Sequence, residues 1–217
     1  MDEAALVRFA RSCLAPVLGD EPAGWFYLAG GAFKTLLHRR PPRDLDLWPA
    51  TRSDGELLVS QLLRRGAKAV RDNPPYQTAF TLAGRLIEVA HDTSAASLKD
   101  RLGQFDLALS AIGVEHRDGV WRGAIHPQAI ESVRRREVLL LTPLVNWKYA
   151  LATLERVRRY AAELAFRVPG EAEQAIWEVF ADQSPEQQHA MIARYLRVSV
   201  GDERILEEAR RRMGSQL

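Results

Sequence analysis

The sequence predicts an α+β chain: a head of β-strands with flanking helices over residues 1–130, followed by a small all-α domain over 131–217. Three observations carry this. Short apolar or alternating runs at 25–29, 43–48, 77–83 and 85–91 read as strands, because strand side chains change face with a period of two. Segments with apolar residues three and four apart lie between those runs and read as amphipathic helices. From about residue 127 onward the pattern is helical, broken near Thr142-Pro143, Val168-Pro169-Gly170 and Gln183-Ser184-Pro185.

Taken in order, residues 2–18 form a helix with an apolar stripe (Leu6, Phe9, Ala10, Cys13, Leu14), stopped by Gly19 and Asp20-Glu21-Pro22. Trp25 to Ala29 is a buried strand that ends at Gly30-Gly31. A helix then carries Phe33, Leu36 and Leu37, and Pro41-Pro42 ends it, because proline has no N–H to continue the ladder. Arg43-Asp44-Leu45-Asp46-Leu47-Trp48 alternates strictly, as a half-buried strand does. Residues 54–65 are helical through Leu57, Leu58 and Leu62, to near Gly66. The runs 77–83 and 85–91 flank Ala83-Gly84 as a hairpin. A polar stretch over 92–103 leads to the mostly apolar Phe105–Val114, then to a turn at Arg117-Asp118-Gly119.

Composition narrows the function classes. The chain has 217 residues, 47% hydrophobic and 27% charged, which excludes a collagen-like, fibrous or disordered protein. The net charge is +2, and from residue 131 onward 14 basic residues face 13 acidic ones, so no polybasic tail announces a nucleic-acid partner. A single cysteine, Cys13, excludes an internal disulfide framework and a cysteine-rich zinc site. Its helical setting reads as a buried thiol. His38, His91, His116, His126 and His189 have no metal-ligand spacing. The acidic start MDEAALVRF lacks a leader-like apolar run, and no stretch nears the ~20 uninterrupted apolar residues of a membrane helix. The expectation is a soluble cytoplasmic protein with no membrane partner.

Two features carry chemistry. On a strand, Asp44 and Asp46 share a face while Leu45 and Leu47 point into the core. Adjacent carboxylates repel each other; a divalent cation between them removes that penalty, and Mg²⁺ selects oxygen ligands. Ahead of them, Gly30-Gly31 stands between a strand and a helix, where backbone N–H groups can cradle a phosphate. Lys34, one turn on, adds a positive charge. Each feature alone has an ordinary alternative: a Gly-Gly is a turn, and an Asp-x-Asp is a solvated strand edge. In this order, with a helix between, they describe a nucleoside triphosphate site. Trp25 and Trp48 adjoin it on strands and read as core, while Trp121, Trp147 and Trp177 lie in helical or turn contexts.

The segment Tyr27-Leu28-Ala29-Gly30-Gly31-Ala32-Phe33-Lys34, then Pro41-Pro42 and Asp44-Leu45-Asp46-Leu47, resembles the signature of the polymerase-β-like nucleotidyltransferase superfamily. Within that superfamily it is most similar to the head domain of tRNA nucleotidyltransferases (CCA-adding enzymes) and bacterial poly(A) polymerases. Lys34 stands where that signature carries Arg, and Thr35 where an Asp commonly follows. The resemblance covers about residues 24–166 and implies a third carboxylate on a later strand. Glu88, in Arg85-Leu86-Ile87-Glu88-Val89-Ala90, matches it, with Asp92 in the following turn as the rival. The run from Gln104 to Ile112 resembles a nucleotide-positioning segment in which Asp106 is retained. Gln104 and Phe105 replace its two arginines and Ser110 its Asn; apart from Asp106, the run reads equally well as a core strand. Residues 155–166 resemble a family helix whose two arginines fall on Arg156 and Arg159, at i and i+3 on one face. The alternative there is a solvated helix with a Glu155–Arg159 pair.

The resemblance implies a nucleotidyltransferase-type mixed β-sheet head with flanking helices, a helical neck and metal-dependent transfer of NMP from an NTP, ATP or CTP or both. Asp44, Asp46 and Glu88 would bind two Mg²⁺ ions, with Mn²⁺ the alternative metal. Gly30, Gly31, Lys34, Asp106, Arg156 and Arg159 would bind the nucleotide. An acceptor hydroxyl would attack the α-phosphorus in line and release pyrophosphate. An RNA 3′ end, tRNA first, is the expected acceptor. A small-molecule or protein hydroxyl is the alternative, and a non-catalytic nucleotide- or RNA-binding protein the third reading. Full-length relatives carry further domains that grip tRNA, and 217 residues are expected to leave no room for them. Arg134-Arg135-Arg136 and Arg210-Arg211-Arg212 read as solvated helix faces, and are also the natural place for RNA phosphate contacts.

Overall fold

Helix α1 (Glu3–Leu18) begins at Asp2, whose carboxylate accepts from the Ala5 N–H at 2.8 Å, and stops at Gly19, where φ is 84°. Its buried stripe of Leu6, Ala10, Cys13, Leu14, Val17 and Leu18 covers one face of the sheet. The computed structural model describes residues 2–38, 40–73, 76–141, 144, 146–199 and 201–214, apart from the side chains of 71–73. They divide into two compact units, residues 1–105 with 109–130 and residues 106–108 with 131–217.

The first unit is built on seven strands: β1 (Phe26–Ala29), β2 (Asp44–Pro49), β3 (Lys68–Asn73), β4 (Gln77–Leu82), β5 (Arg85–Ala90), β6 (Ile112–Arg117) and β7 (Val120–Ile125). Their order is β3-β4-β5-β2-β1-β6-β7. The β2–β5 pair is parallel and the others antiparallel, so the sheet is mixed. Leu45 and Leu47 of β2 bury beside Phe26, Leu28, Ile87, Val89 and Val114, under α1 and under Leu58 and Leu62 of α3. Helix α3 itself spans Arg52–Arg64. Truncating one such leucine to Ala costs about 2–5 kcal/mol, so this face fixes which side of β2 is left for Asp44 and Asp46.

Several elements differ from the sequence expectation. The helix after Gly30-Gly31 is a 3-10 turn (Gly31–Lys34) running into the single turn of α2 (Thr35–His38). Within residues 92–103, expected as plain polar chain, Ser97 caps α4 (Leu98–Gly103) by accepting from the Asp100 N–H. Phe105 to Ala111 is not strand: it holds a 3-10 turn (Ala108–Ser110), and β6 starts only at Ile112. The turn at Asp118-Gly119, with φ of 51° and 76°, closes a β6–β7 hairpin that places Trp121 on a strand. Strand β3 is an edge strand with a bulge between Ala69 and Arg71, which breaks the alternation that would have revealed it.

Helix α5 (Pro127–Arg135) carries the division between the units. The second unit then packs α6 (Ala150–Leu164), α7 (Gly170–Ala181), α8 (Pro185–Val198) and α9 (Glu203–Gly214). Their buried residues include Leu154, Val157, Ile176, Phe180, Met191, Tyr195 and Leu206. Arg158 reaches Glu173 with two hydrogen bonds of 2.9 and 2.8 Å, tying α6 to α7. Ser184 and Gln187 form a reciprocal capping box at the start of α8. The expected break at Thr142-Pro143 lies outside the described residues. No helix among them is long and apolar enough to cross a membrane.

Candidate active site

Strand β2 alternates in burial along its length, with Asp44, Asp46 and Trp48 half-buried on one face and Leu45, Leu47 and Pro49 buried on the other. In the parallel β2–β5 pair Asp46 stands opposite Glu88, and Asp44 opposite Leu86. Register partners on adjacent strands are ~4.8 Å apart and share a face, so the Glu88 carboxylate rises beside that of Asp46. Arg43 lies 3.8 Å from Asp44 Oδ2, on the exposed side.

Gly30 closes β1 with φ 119° and ψ −152°, a conformation that belongs almost to glycine alone. A Cβ added there would meet Asp46 Oδ2 at 2.9 Å and Phe105 Cε1 at 3.7 Å. The glycine thus does two things: it turns the chain, and it lets the Asp46 carboxylate lie directly on the backbone. Gly31 opens the 3-10 turn and Lys34, half-buried, ends it. Thr35, where the resembled signature carries an acid, is buried and donates its hydroxyl to the Ala32 carbonyl at 2.7 Å.

Beside these residues Trp48, expected as core, is half-buried on the Asp46 face, and it stands with Arg101, which the sequence did not single out. The Trp48 and Phe105 rings meet edge to face, with centroids 5.9 Å apart. The Arg101 guanidinium lies 4.3 Å from the centroid of the Trp48 ring. Arg101 is buried and bonds Asp92 Oδ2 at 3.0 Å and the Asp92 carbonyl at 3.4 Å. Asp92, the rival to Glu88, is therefore engaged as the partner of Arg101. Burial alone would raise the Asp92 carboxyl, but the Ser94 and Arg101 hydrogen bonds outweigh it and hold the group below its ordinary value. Tyr27 shares the Asp46 face through its pairing with Trp48, and its buried hydroxyl has no acceptor among the described residues. Burial, reinforced by Glu115, pushes that phenol up to about 12. The period-two rule that found Asp44 and Asp46 also puts Trp48 on their face; Tyr27 joins them only through the β1–β2 register, and Arg101 left no such signal.

The remaining expected residues belong to the second unit. Asp106 accepts hydrogen bonds from Thr153 and Arg156, and its carbonyl accepts from the Leu141 N–H at 2.8 Å. Arg159 lies 5.8 Å from the Tyr160 ring, and the Nε atoms of Arg156 and Arg159 are buried without an acceptor among the described residues. Glu155, the alternative partner for Arg159, accepts from the Tyr195 hydroxyl at 2.7 Å. So Gly30, Asp44, Asp46 and Glu88 are gathered on one sheet face, while Asp106 and Arg156 join each other in the helical unit.

Comparison with solved structures places this architecture. The Thermotoga maritima CCA-adding enzyme complexed with tRNA matches 88% of this chain and 48% of its own, at 16% identity and a TM-score of 0.57. A tRNA nucleotidyltransferase complexed with a primer tRNA and an incoming ATP analogue matches 86% and 57%, at 17% identity and 0.57. The Bacillus stearothermophilus CCA-adding enzyme in complex with CTP matches 85% and 47%, at 20% identity and 0.52. The chain has the fold of the tRNA nucleotidyltransferases. It spans about half the length of these structures. No protein-family model and no curated protein sequence matches it.

The donors on the sheet face suit a hard divalent cation: carboxylate oxygens only, two on one strand and one in register beside them. As placed, they do not form a closed set, for no group of three His, Cys, Asp or Glu among the described residues is gathered tightly enough to hold a metal. Asp46 and Glu88 are the side-by-side pair, and Asp44 is two residues along β2.

Proposed function

We propose that the chain is a metal-dependent nucleotidyltransferase that transfers NMP from an NTP, ATP or CTP or both, to an RNA 3′ hydroxyl. The observation that carries this reading is the placement of Asp46 between Glu88 in register and the bare backbone of Gly30, in a fold shared with tRNA nucleotidyltransferases. Asp44, Asp46 and Glu88 would hold Mg²⁺, which supplies a lowered pKa to the acceptor hydroxyl and neutralises charge on the triphosphate. Gly30 and Gly31 offer backbone N–H groups to the phosphates, and Lys34 offers its ammonium. Asp46, pressed on Gly30, keeps metal and phosphate ligands adjacent, so the triphosphate is oriented for in-line attack. In the helical unit, Asp106 accepts from the Arg156 guanidinium and fixes its orientation.

A second reading, transfer to a small-molecule or protein hydroxyl, draws support from the arginine clusters. Arg134 and Arg135 both bond Glu131 and hold its carboxyl down at about 2. Arg210 pairs with Glu203, and Arg212 with Glu208. Much of the positive charge that would grip an RNA backbone is thus matched within the chain. The test is incubation with each α-labelled NTP, Mg²⁺ and total tRNA, alongside Asp44→Ala/Asp46→Ala. Label entering tRNA with the wild type alone supports the first reading, and label entering protein or small molecules the second. NTP binding without any transfer would sink both.

A further inference from the structure

Phe105 is an apolar ring at the edge of a site otherwise made of carboxylates and backbone. It is half-buried, and its Cε1 would stand 3.7 Å from a Cβ on Gly30, beside the Asp46 carboxylate. Its orientation is held from behind. The ring meets Trp48 at 89° and 5.9 Å, and Arg101 lies against Trp48 at 4.3 Å. Asp92 in turn fixes Arg101 by two hydrogen bonds. This relay fixes an aromatic surface in advance, at no ordering cost when a ligand arrives.

A metal ion and a triphosphate have no use for such a ring. The apolar part of an NTP is its nucleoside, and every base has a π-face that stacks on an aromatic side chain whatever its hydrogen-bonding edge. We propose that Phe105 is the surface on which the nucleoside of the bound NTP rests, with Trp48 and Arg101 as positioning residues behind it. Stacking of this kind tolerates any base, so the contact contributes to whichever NTP is bound. The inference rests on the nucleotidyltransferase reading and adds a contact to it.

The test measures binding of ATP, CTP, GTP, UTP and inorganic triphosphate, with Mg²⁺, to the wild type, Phe105→Leu and Phe105→Tyr. Phe105→Leu is expected to weaken every NTP that the wild type binds by about 5- to 30-fold while leaving inorganic triphosphate within about twofold. Phe105→Tyr keeps the ring and is expected to bind all five ligands like the wild type. Equal weakening of NTPs and inorganic triphosphate in Phe105→Leu would reduce Phe105 to a structural role and overturn the proposal. Unchanged NTP binding in that variant would overturn it as well. Failure of the wild type to bind any of the five would instead remove the nucleotidyltransferase reading beneath it. Should Phe105→Leu not fold, Trp48→Phe, which keeps an aromatic ring but loses part of the Arg101 contact, is expected to show the same NTP-selective weakening to a smaller degree; no such selectivity would overturn the proposal.

Discussion

The Asp46 carboxylate lies on the backbone of Gly30, so close that a methyl group there would stand 2.9 Å from its Oδ2. Backbone geometry makes the same demand, because φ of 119° with ψ of −152° is a region that L-residues avoid at a cost of about 1–3 kcal/mol. Gly30→Ala is therefore expected to lower stability by about 1–3 kcal/mol in urea unfolding and to cut label transfer at least tenfold by displacing Asp46. Gly103, at the end of α4, has open space around a would-be Cβ and no left-handed φ. Gly103→Ala should leave both measurements near wild type, or raise stability by about 0.4–1 kcal/mol. A tolerated Gly30→Ala would contradict the contact.

Asp46 and Glu88 face each other across the one parallel pair of the sheet. Asp46→Asn and Glu88→Gln keep shape and remove charge, so the fold should persist while transfer falls at least about 100-fold in each. Circular dichroism melts and the label assay read the two effects separately. Raising Mg²⁺ should recover part of the Glu88→Gln activity, since the two β2 carboxylates remain. If Glu88→Gln is as active as the wild type, Glu88 is an ordinary strand residue.

The site was legible where its residues follow a local period. Alternation gives β2, its core face and the carboxylate pair, and it puts Glu88 at the centre of β5; the Ala83-Gly84 turn, with φ of 52° and 72°, gives the hairpin. Beyond that, long-range contact decides. Asp106 finds Arg156 50 residues away, and nothing in either segment alone announces the pair. Arg101 sits in a six-residue helix too short to show an amphipathic stripe, yet it is buried against Trp48. The bulge in β3 interrupts the period that would have marked it, and β7 has no fully buried residue, so no apolar alternation marks that strand.

The Arg101–Asp92 pair gives the first unit an acid-sensitive contact. Hydrogen bonds from Ser94 and then Arg101 hold the Asp92 carboxyl below its ordinary value against burial, so these contacts contribute stability that is complete above the unfolded value and is lost as pH falls through the folded one. Arg101→Met removes the partner, and its urea midpoint should fall less steeply than that of the wild type as pH drops below the ordinary carboxylate range. Parallel acid limbs in the two proteins would show that Asp92 draws its shift from Ser94 alone.

Asp106 accepts from both Thr153 and Arg156 and anchors residues 106–108 on α6. Asp106→Asn keeps the size but loses the charge opposite a half-buried guanidinium, and should destabilise the helical unit by about 1–3 kcal/mol. Proteolysis of that unit should speed up accordingly. If Asp106→Asn weakens NTP binding with no loss of stability, the aspartate serves the ligand rather than the fold.

Tyr27 buries a hydroxyl that no acceptor among the described residues reaches, on the sheet face it shares with Asp46 and Trp48. A buried donor without a partner costs about 1–3 kcal/mol relative to hydrogen, so Tyr27→Phe should raise stability or leave it unchanged, where deleting a bonded hydroxyl would lower it. The alkaline limb supplies an independent reading. The phenol is raised from 10.0 to about 12, so the fold favours its protonated form, and the associated stability is present below pH 10 and declines as pH rises toward 12. Tyr27→Phe has no proton to lose there and should unfold at a midpoint that changes less between those two pH values. A clear loss of stability in Tyr27→Phe at neutral pH would mean that the hydroxyl is satisfied in solution after all, and that the Asp46 face holds a polar contact beneath Trp48.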